Sequence, residues 1–358
     1  MSDLLFTPFR LGRIELKNRT VMNPMTRCRA IGNVVNDLVA EYYGQRADAG
    51  LIITEGVSPS ADGLGYARIP GLYNKTQAAA WRKVTDAVHA KGGKMFVQLM
   101  DCGRMAHPLN VPAGAAMRAP SAIAAPGAMW TDQQQNQPMP VPREMTEADI
   151  EAAIAGFVTA STLAVNEAGF DGVELHGANG YLIEQFLNNT SNHRTDRWGG
   201  SVDNRIRFAL EVAKRVAAAI GGDRLGIRFS PYGGAGGMQW DDSTPELYTK
   251  LTSALSDLGL VYVHVVDHSA MGAPPVPQSI KDTIRHTFKG AYIAAGGFDR
   301  ASADATLDAK QADLVGFGRP FISNPTLVTK LKTGAALNPP DFASFYSADA
   351  KGYTDYPA

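Results

Sequence analysis

The stretch Glu174-Leu175-His176-Gly177-Ala178-Asn179-Gly180-Tyr181 places three chemically able side chains within six residues. His176 and Asn179 can donate hydrogen bonds, and Tyr181 can donate a proton. That set suits holding an oxygen while a neighbouring carbon is protonated. Taken singly, His176 could be a core histidine and Tyr181 could merely pack its ring; together they favour chemistry. The stretch follows an apolar run, Asp171–Leu175, and precedes Leu182–Leu187, which reads as a helix. The polar trio therefore sits where a strand ends.

Other strand ends carry a consistent set: Pro24-Met25-Thr26, Glu55-Gly56, Gln98, Arg228, Gly296-Gly297 and Gly318-Arg319. Glycine amides followed by an arginine after the last two strands suit a phosphate. Arg228 offers a fixed cation, and Gln98 and Thr26 offer neutral hydrogen bonds. Alone, Arg228 could be a structural ion pair and Gln98 could satisfy loop backbone. Combined with a phosphate site, they suit a phosphorylated heteroaromatic cofactor better than a bare sugar phosphate. His264 and Asp267 resemble a metal pair, but on a strand they face opposite ways, so no metal is expected. Cys28 and Cys102, the two cysteines, make no CxxC pattern and read as inert packing residues.

Eight short apolar runs must position these groups: Thr20–Pro24, Leu51–Glu55, Lys94–Leu99, Asp171–Leu175, Leu225–Ser230, Val261–Val266, Ala291–Ala295 and Asp313–Gly316. Several are continuously apolar, as strands covered on both faces are. Helical patterns lie between them at Asp37–Ala49, Gln77–Ala90, Glu147–Ala168, Asp203–Ala219 and Pro245–Leu258. Thr146 and Thr244-Pro245-Glu246 read as helix starts; Gly50, Gly92, Gly169, Gly221 and Gly259 read as helix ends. The alternation predicts an α/β fold, a single (β/α)₈ TIM barrel over residues 1–358. A doubly wound sheet would need a Gly-rich turn after the first strand, and Asn23-Pro24-Met25-Thr26-Arg27 is not one. Residues 107–143, after the third strand, are too long for a plain connection and read as a lid or subdomain, the alternative being a disordered surface excursion. Residues 231–242, with four glycines, read as a second flexible loop.

The 358 residues are 45% hydrophobic and 19% charged, with a net charge of −1. That balance supports a large core and argues against nucleic acid or an anionic membrane as partner. No run of about eighteen apolar residues and no signal-like N-terminus occurs, so a cytoplasmic protein is expected.

The motifs resemble the old yellow enzymes, the FMN-dependent NAD(P)H ene-reductases. The resemblance runs from Leu5-Phe6-Thr7-Pro8-Phe9 to Gly352-Tyr353-Thr354-Asp355-Tyr356-Pro357. Its markers are residues 41–47 (EYYGQRA), 49–55 (AGLIITE), 176–182 (HGANGYL), 195–201 (TDRWGGS) and 316–321 (GFGRPF). The resemblance implies a tightly bound, non-covalent FMN. Pro24, Met25 and Thr26 would line it, and Gly56 and Gln98 would meet its ring. Arg228 would lie beside N1 and O2. Gly296, Gly297, Gly318 and Arg319 would hold its phosphate. It further implies NADPH or NADH as reductant in ping-pong turnover, with small activated alkenes as substrates. His176 and Asn179 would bind the substrate oxygen, and Tyr181 would protonate the α-carbon. Nitroester or nitroaromatic reduction at the same site is the alternative. Thr26, where some relatives carry cysteine, points to the classical branch. Met100 and Asp101 depart from the family's Trp-His after Gln98-Leu99. Met100 implies a roomier, more pliable substrate site, and Asp101 adds a negative charge near it. Monomer or homodimer both fit, with Tyr353 and Tyr356 packing on their own subunit or a neighbour.

Overall fold

The computed structural model describes residues 3–358. Eight parallel strands close a barrel: β1 (Thr20–Met22), β2 (Leu51–Val57), β3 (Met95–Leu99), β4 (Gly172–Gly177), β5 (Leu225–Phe229), β6 (Tyr262–Val266), β7 (Ala291–Ala295) and β8 (Leu314–Phe317). All eight expected runs are these strands, displaced by at most a few residues. The N-terminal hairpin Phe9–Leu11/Ile14–Leu16 plugs the barrel floor. Its Leu11 and Leu16 pack on Val21, Ile53, Phe96, Tyr262, Ile293 and Leu314. The barrel floor is thus filled by apolar side chains, and the larger cavity opens at the other end.

The outer ring contains α1 (Asp37–Gln45), α2 (Lys75–His89), α3 (Glu147–Asn166), α4 (Leu182–Leu187), α5 (Val202–Arg205), α6 (Arg207–Ile220), α7 (Thr244–Asp257), α8 (Gln278–Thr287) and α9 (Arg300–Asp308). α10 (Arg319–Ser323) and α11 (Leu327–Thr333) follow β8. The helix expected at Asp203–Ala219 is two helices, broken at Ile206. The helix start at Thr146 is a full capping box with Asp149. α3 is long and apolar enough to cross a membrane. Here Ile150, Ile154 and Phe157 are buried and the helix packs on β3, β4 and α6. Gly92, Gly169, Gly221 and Gly259 adopt positive φ as helix ends require. Gly50 does not; a Cβ there would lie 2.0 Å from the Asn18 carbonyl oxygen, so it is glycine for close packing.

The segment 107–143 is ordered rather than a structureless excursion. It carries the hairpin Ala128–Thr131/Gln135–Pro138 and a short strand, Arg118–Ala119, paired to Arg143–Glu144. Residues 231–242 are likewise tied down: the Arg104 guanidinium donates to the Gly236 carbonyl at 2.9 Å and the Trp240 indole to the Gly233 carbonyl at 2.8 Å.

Candidate active site

A cavity of about 710 Å³ opens at the C-terminal ends of the strands. Pro24, Met25, Thr26, Gly56, Gln98, Met100, His176, Asn179, Tyr181, Arg228, Gly296, Gly297, Gly318 and Arg319 all line it. Every site residue expected from the sequence is therefore brought together. None of residues 107–143 is among the lining. Cys28 is buried away from this lining, and burial pushes its thiol up to about 12, which leaves it unreactive. Cys102 is buried as well, its thiol raised by the same cause.

Register explains the assembly. His176 on β4 pairs with Arg228 on β5, and Arg228 pairs with His264 on β6. In parallel strands, residues in register at the same height face the same way. A register shift in β2 between Ile53 and Gly56 then sets Gly56 beside Gln98 of β3. Met100 follows Gln98 at 1% exposure and covers Gly56, where a Cβ would lie 2.4 Å from its sulfur.

One layer below the cavity, Glu174 is fully buried and accepts from Gln98 Nε2 at 2.8 Å and the Tyr262 hydroxyl at 3.0 Å. It also contacts His264 Nδ1 at 2.9 Å. Glu174 thus anchors Gln98 and supplies the carboxylate closest in role to a counter-charge for Arg228. Sequence reasoning passed over it, although it lies two residues before His176 and so on the same strand face. His264 and Asp267 go to different partners, since Asp267 accepts from Lys281 Nζ at 2.7 Å. Asp101, expected to bring charge to the site, is absent from the cavity wall. It is buried 3.8 Å from the Arg118 guanidinium and accepts from the Gly103 amide at 3.0 Å. Its carboxyl is raised by burial, against the pull of Arg118.

The oxygen-binding candidates are held from several sides. Asn179 takes a positive φ of 59°. Its amide N–H donates to Ser230 Oγ at 2.8 Å, and Ser230 donates to Glu184 at 2.6 Å. Glu184 also accepts from the Gly180 amide at 2.5 Å. On the other side, Asn179 Oδ1 meets His268 Nε2 at 2.7 Å. An amide oxygen can only accept, so the imidazole donates and the Asn179 NH₂ is left for the cavity. Burial and the Arg228 charge depress the His176 and His268 pKa values, so both rings are neutral donors near pH 7. Tyr181 packs edge-on to His176, ring centroids 4.7 Å apart. Burial raises its phenol well above the usual range, so it keeps its proton until a strong base forms beside it.

Across the barrel, Gly296 is wedged against the β6 loop, where a Cβ would strike the Asp267 carbonyl oxygen at 2.3 Å. Arg319 makes no ion pair among the described residues; its guanidinium lies over the Phe342 ring at 5.9 Å. That removes the reading of Arg319 as a surface ion-pair partner. Arg228 Nε and His176 Nδ1 are buried without a partner among the described residues. Unpaired polar atoms of this kind on a cavity wall are costly unless a bound group satisfies them. A flat polar heteroaromatic ring between β3 and β5, with a phosphate at the β7–β8 end, fits this donor set.

Fold and site together define a (β/α)₈ barrel whose large cavity suits a flat, phosphorylated ring. Residues 4–338 match the NADH:flavin oxidoreductase / NADH oxidase family. The chain is 46% identical to chanoclavine-I aldehyde reductase fgaOx3 of Penicillium roqueforti, covering 98% of this chain and 95% of that one. It is 39% identical to 12-oxophytodienoate reductase 7 of Oryza sativa subsp. japonica, covering 99% and 94%. Morphinone reductase superposes with a TM-score of 0.94 at 41% identity, covering 99% and 96%. That enzyme is also known in complex with tetrahydroNAD. The chain belongs to this FMN-dependent family, the old yellow enzymes.

Proposed function

We propose that the chain is an ene-reductase of the classical branch, using NADPH or NADH to reduce the C=C bond of α,β-unsaturated aldehydes and ketones, maleimides and nitroalkenes. The observation that carries this reading is the placement of His176, Asn179 and Tyr181 on one lip of a single cavity. The glycines and Arg319 stand at the far lip, as β4 and β8 lie opposite each other in the closed barrel. When bound, FMN supplies a two-electron relay that passes hydride from the nicotinamide to the β-carbon of the alkene.

The chain's own residues do the rest. Pro24, Met25, Thr26 and Gly56 would line its ring, and Gln98, fixed by Glu174, would hydrogen-bond to it. Arg228 would favour negative charge on the ring, and Gly296, Gly297, Gly318 and Arg319 would hold the phosphate without covalent attachment. His176 and the Asn179 NH₂ hold the substrate oxygen, and their hydrogen bonds strengthen as it gains enolate charge. Tyr181 then gives its proton to the α-carbon. Met100, unbranched and pliable, widens the substrate side.

The test is label transfer. With 4-deuterated nicotinamide and 2-methyl-2-cyclohexenone, deuterium is expected at the β-carbon of a saturated ketone. Deuterium at the carbinol carbon of an allylic alcohol would refute the assignment. Turnover of nitroesters alone would favour nitro-compound reduction at this site instead.

A further inference from the structure

Tyr181 faces a supply problem if it is the proton donor. It belongs to an apolar cluster with Leu64, Ile69, Met100, Cys102 and Ala106. A phenolate left there is expensive, because burial disfavours the charged form. The partner of its hydroxyl among the described residues is Tyr66, at 3.2 Å with Tyr181 donating. The two rings meet edge to face, centroids 6.2 Å apart at 75°. Tyr66 comes from the segment between β2 and α2 and does not line the main cavity. Its far side packs on Met105, Ala125, Met129 and Met139, so the hairpin of the 107–143 segment braces it. It is half-buried, and burial raises its phenol above the usual range as well, so Tyr66 too rests protonated, with a proton to give.

We propose that Tyr66 is the residue through which Tyr181 is stabilised and reprotonated, making the two hydroxyls a relay between solvent and the substrate's α-carbon. This rests on Tyr181 being the proton donor. At rest Tyr181 donates to Tyr66. As hydride arrives at the β-carbon, the Tyr181 hydroxyl turns toward the α-carbon. Its O–H bond breaks and a C–H bond forms with the enolate electron pair. The freed Tyr66 hydroxyl turns to donate to the phenolate and passes its proton on, and water restores Tyr66. The balance is one proton from water per alkene, and no further oxidant or reductant enters. Hydroxyl rotation is fast enough for every turnover. Tyr66 acts through Tyr181, so it is a positioning residue.

The experiment compares Tyr66→Phe, Tyr66→His and Tyr181→Phe, each as FMN-loaded protein with its thermal melt recorded. Two acceptors are used: 2-methyl-2-cyclohexenone, which needs a proton on carbon, and a quinone, whose reduced oxygens take protons from solvent. Tyr66→Phe removes a hydrogen bond to a forming charge, so enone turnover should fall on the order of 10- to 100-fold. The quinone rate should fall far less, so the ratio of the two drops. Product configuration at the α-carbon should be retained, because Tyr181 still delivers the proton. Tyr66→His, which keeps a donor in place, should restore part of the ratio. An unchanged ratio in Tyr66→Phe, with enone turnover lost in Tyr181→Phe, would overturn the relay alone. Unchanged enone turnover and product configuration in Tyr181→Phe would overturn the donor assignment, and the relay with it.

Discussion

His176 was legible in the sequence because its neighbours are informative: three polar side chains in six residues at a strand end have few structural uses. Its protonation state was not legible. Depression of its pKa comes from burial and from Arg228, His264 and His268, which lie on other strands and loops. A neutral His176 gives a pH-independent donor, so its contribution to substrate binding should be flat above about pH 6.5. Removing one donor to a developing oxyanion costs about 10²- to 10³-fold. His176→Ala should therefore lower kcat/KM for 2-cyclohexenone by about 10²-fold, measured in steady state. A loss under about 3-fold would remove His176 from the oxyanion site. Residues that act at one remove were hidden. Tyr66, Glu174 and His268 look ordinary in sequence, and only tertiary proximity brings them to Tyr181, Gln98 and Asn179.

The turn from β4 to α4 shows why element boundaries predicted well while their supports did not. Strand, turn and helix follow from local apolar pattern and glycine placement. The bond from Glu184 to Ser230 spans 46 residues and has no local signature. Burial pushes the Glu184 carboxyl up to about 8, against the pull of its Ser230 and Gly180 hydrogen bonds. The sign follows directly. A carboxyl whose folded value lies above its unfolded value of about 4.3 takes up a proton on folding. Its stabilising share is complete below that unfolded value and is lost as pH rises through about 8. Glu184→Gln cannot ionise, so between about pH 5 and pH 8 its melting temperature should fall less steeply with pH than the wild type's. Parallel melting curves would refute the raised carboxyl. The glycine readings divided in the same way: those at positive φ ended helices as expected. Gly50 serves a contact with Asn18 that no local pattern encodes.

At the scale of the molecule, the barrel was readable from strand and helix alternation, and the fastening of its C-terminus was not. Arg27, Arg29 and Arg46 are buried, with 0–1% exposure. Arg29 donates to the carbonyls of Ser344, Phe345, Asp349 and Lys351 at 2.6–3.1 Å. Arg27 reaches Phe345 and Gly352, while Arg46 reaches Phe321 and Ile322 in the helix that Arg319 opens. Tyr353 stacks on Tyr42 at 4.0 Å, and the Tyr356 hydroxyl accepts from the Asp341 amide. This strap brings Phe345 and Tyr346 to the cavity wall. Arg29→Ala leaves several carbonyls without a donor and should cost on the order of 3 kcal/mol in denaturant unfolding. Flavin retention on gel filtration should fall with it. A variant as stable as wild type would show that the strap is held by its aromatic contacts alone.

The central claim is that one cavity carries a flavin which a nicotinamide reduces and an activated alkene reoxidises. Anaerobic titration of the purified protein with NADPH, followed by visible absorbance, tests it most directly. A yellow protein should bleach and then recover its colour on addition of 2-cyclohexenone. Bleaching without recovery would contradict the ene-reductase assignment, and a colourless protein that gains no colour with added FMN would contradict the flavin site itself.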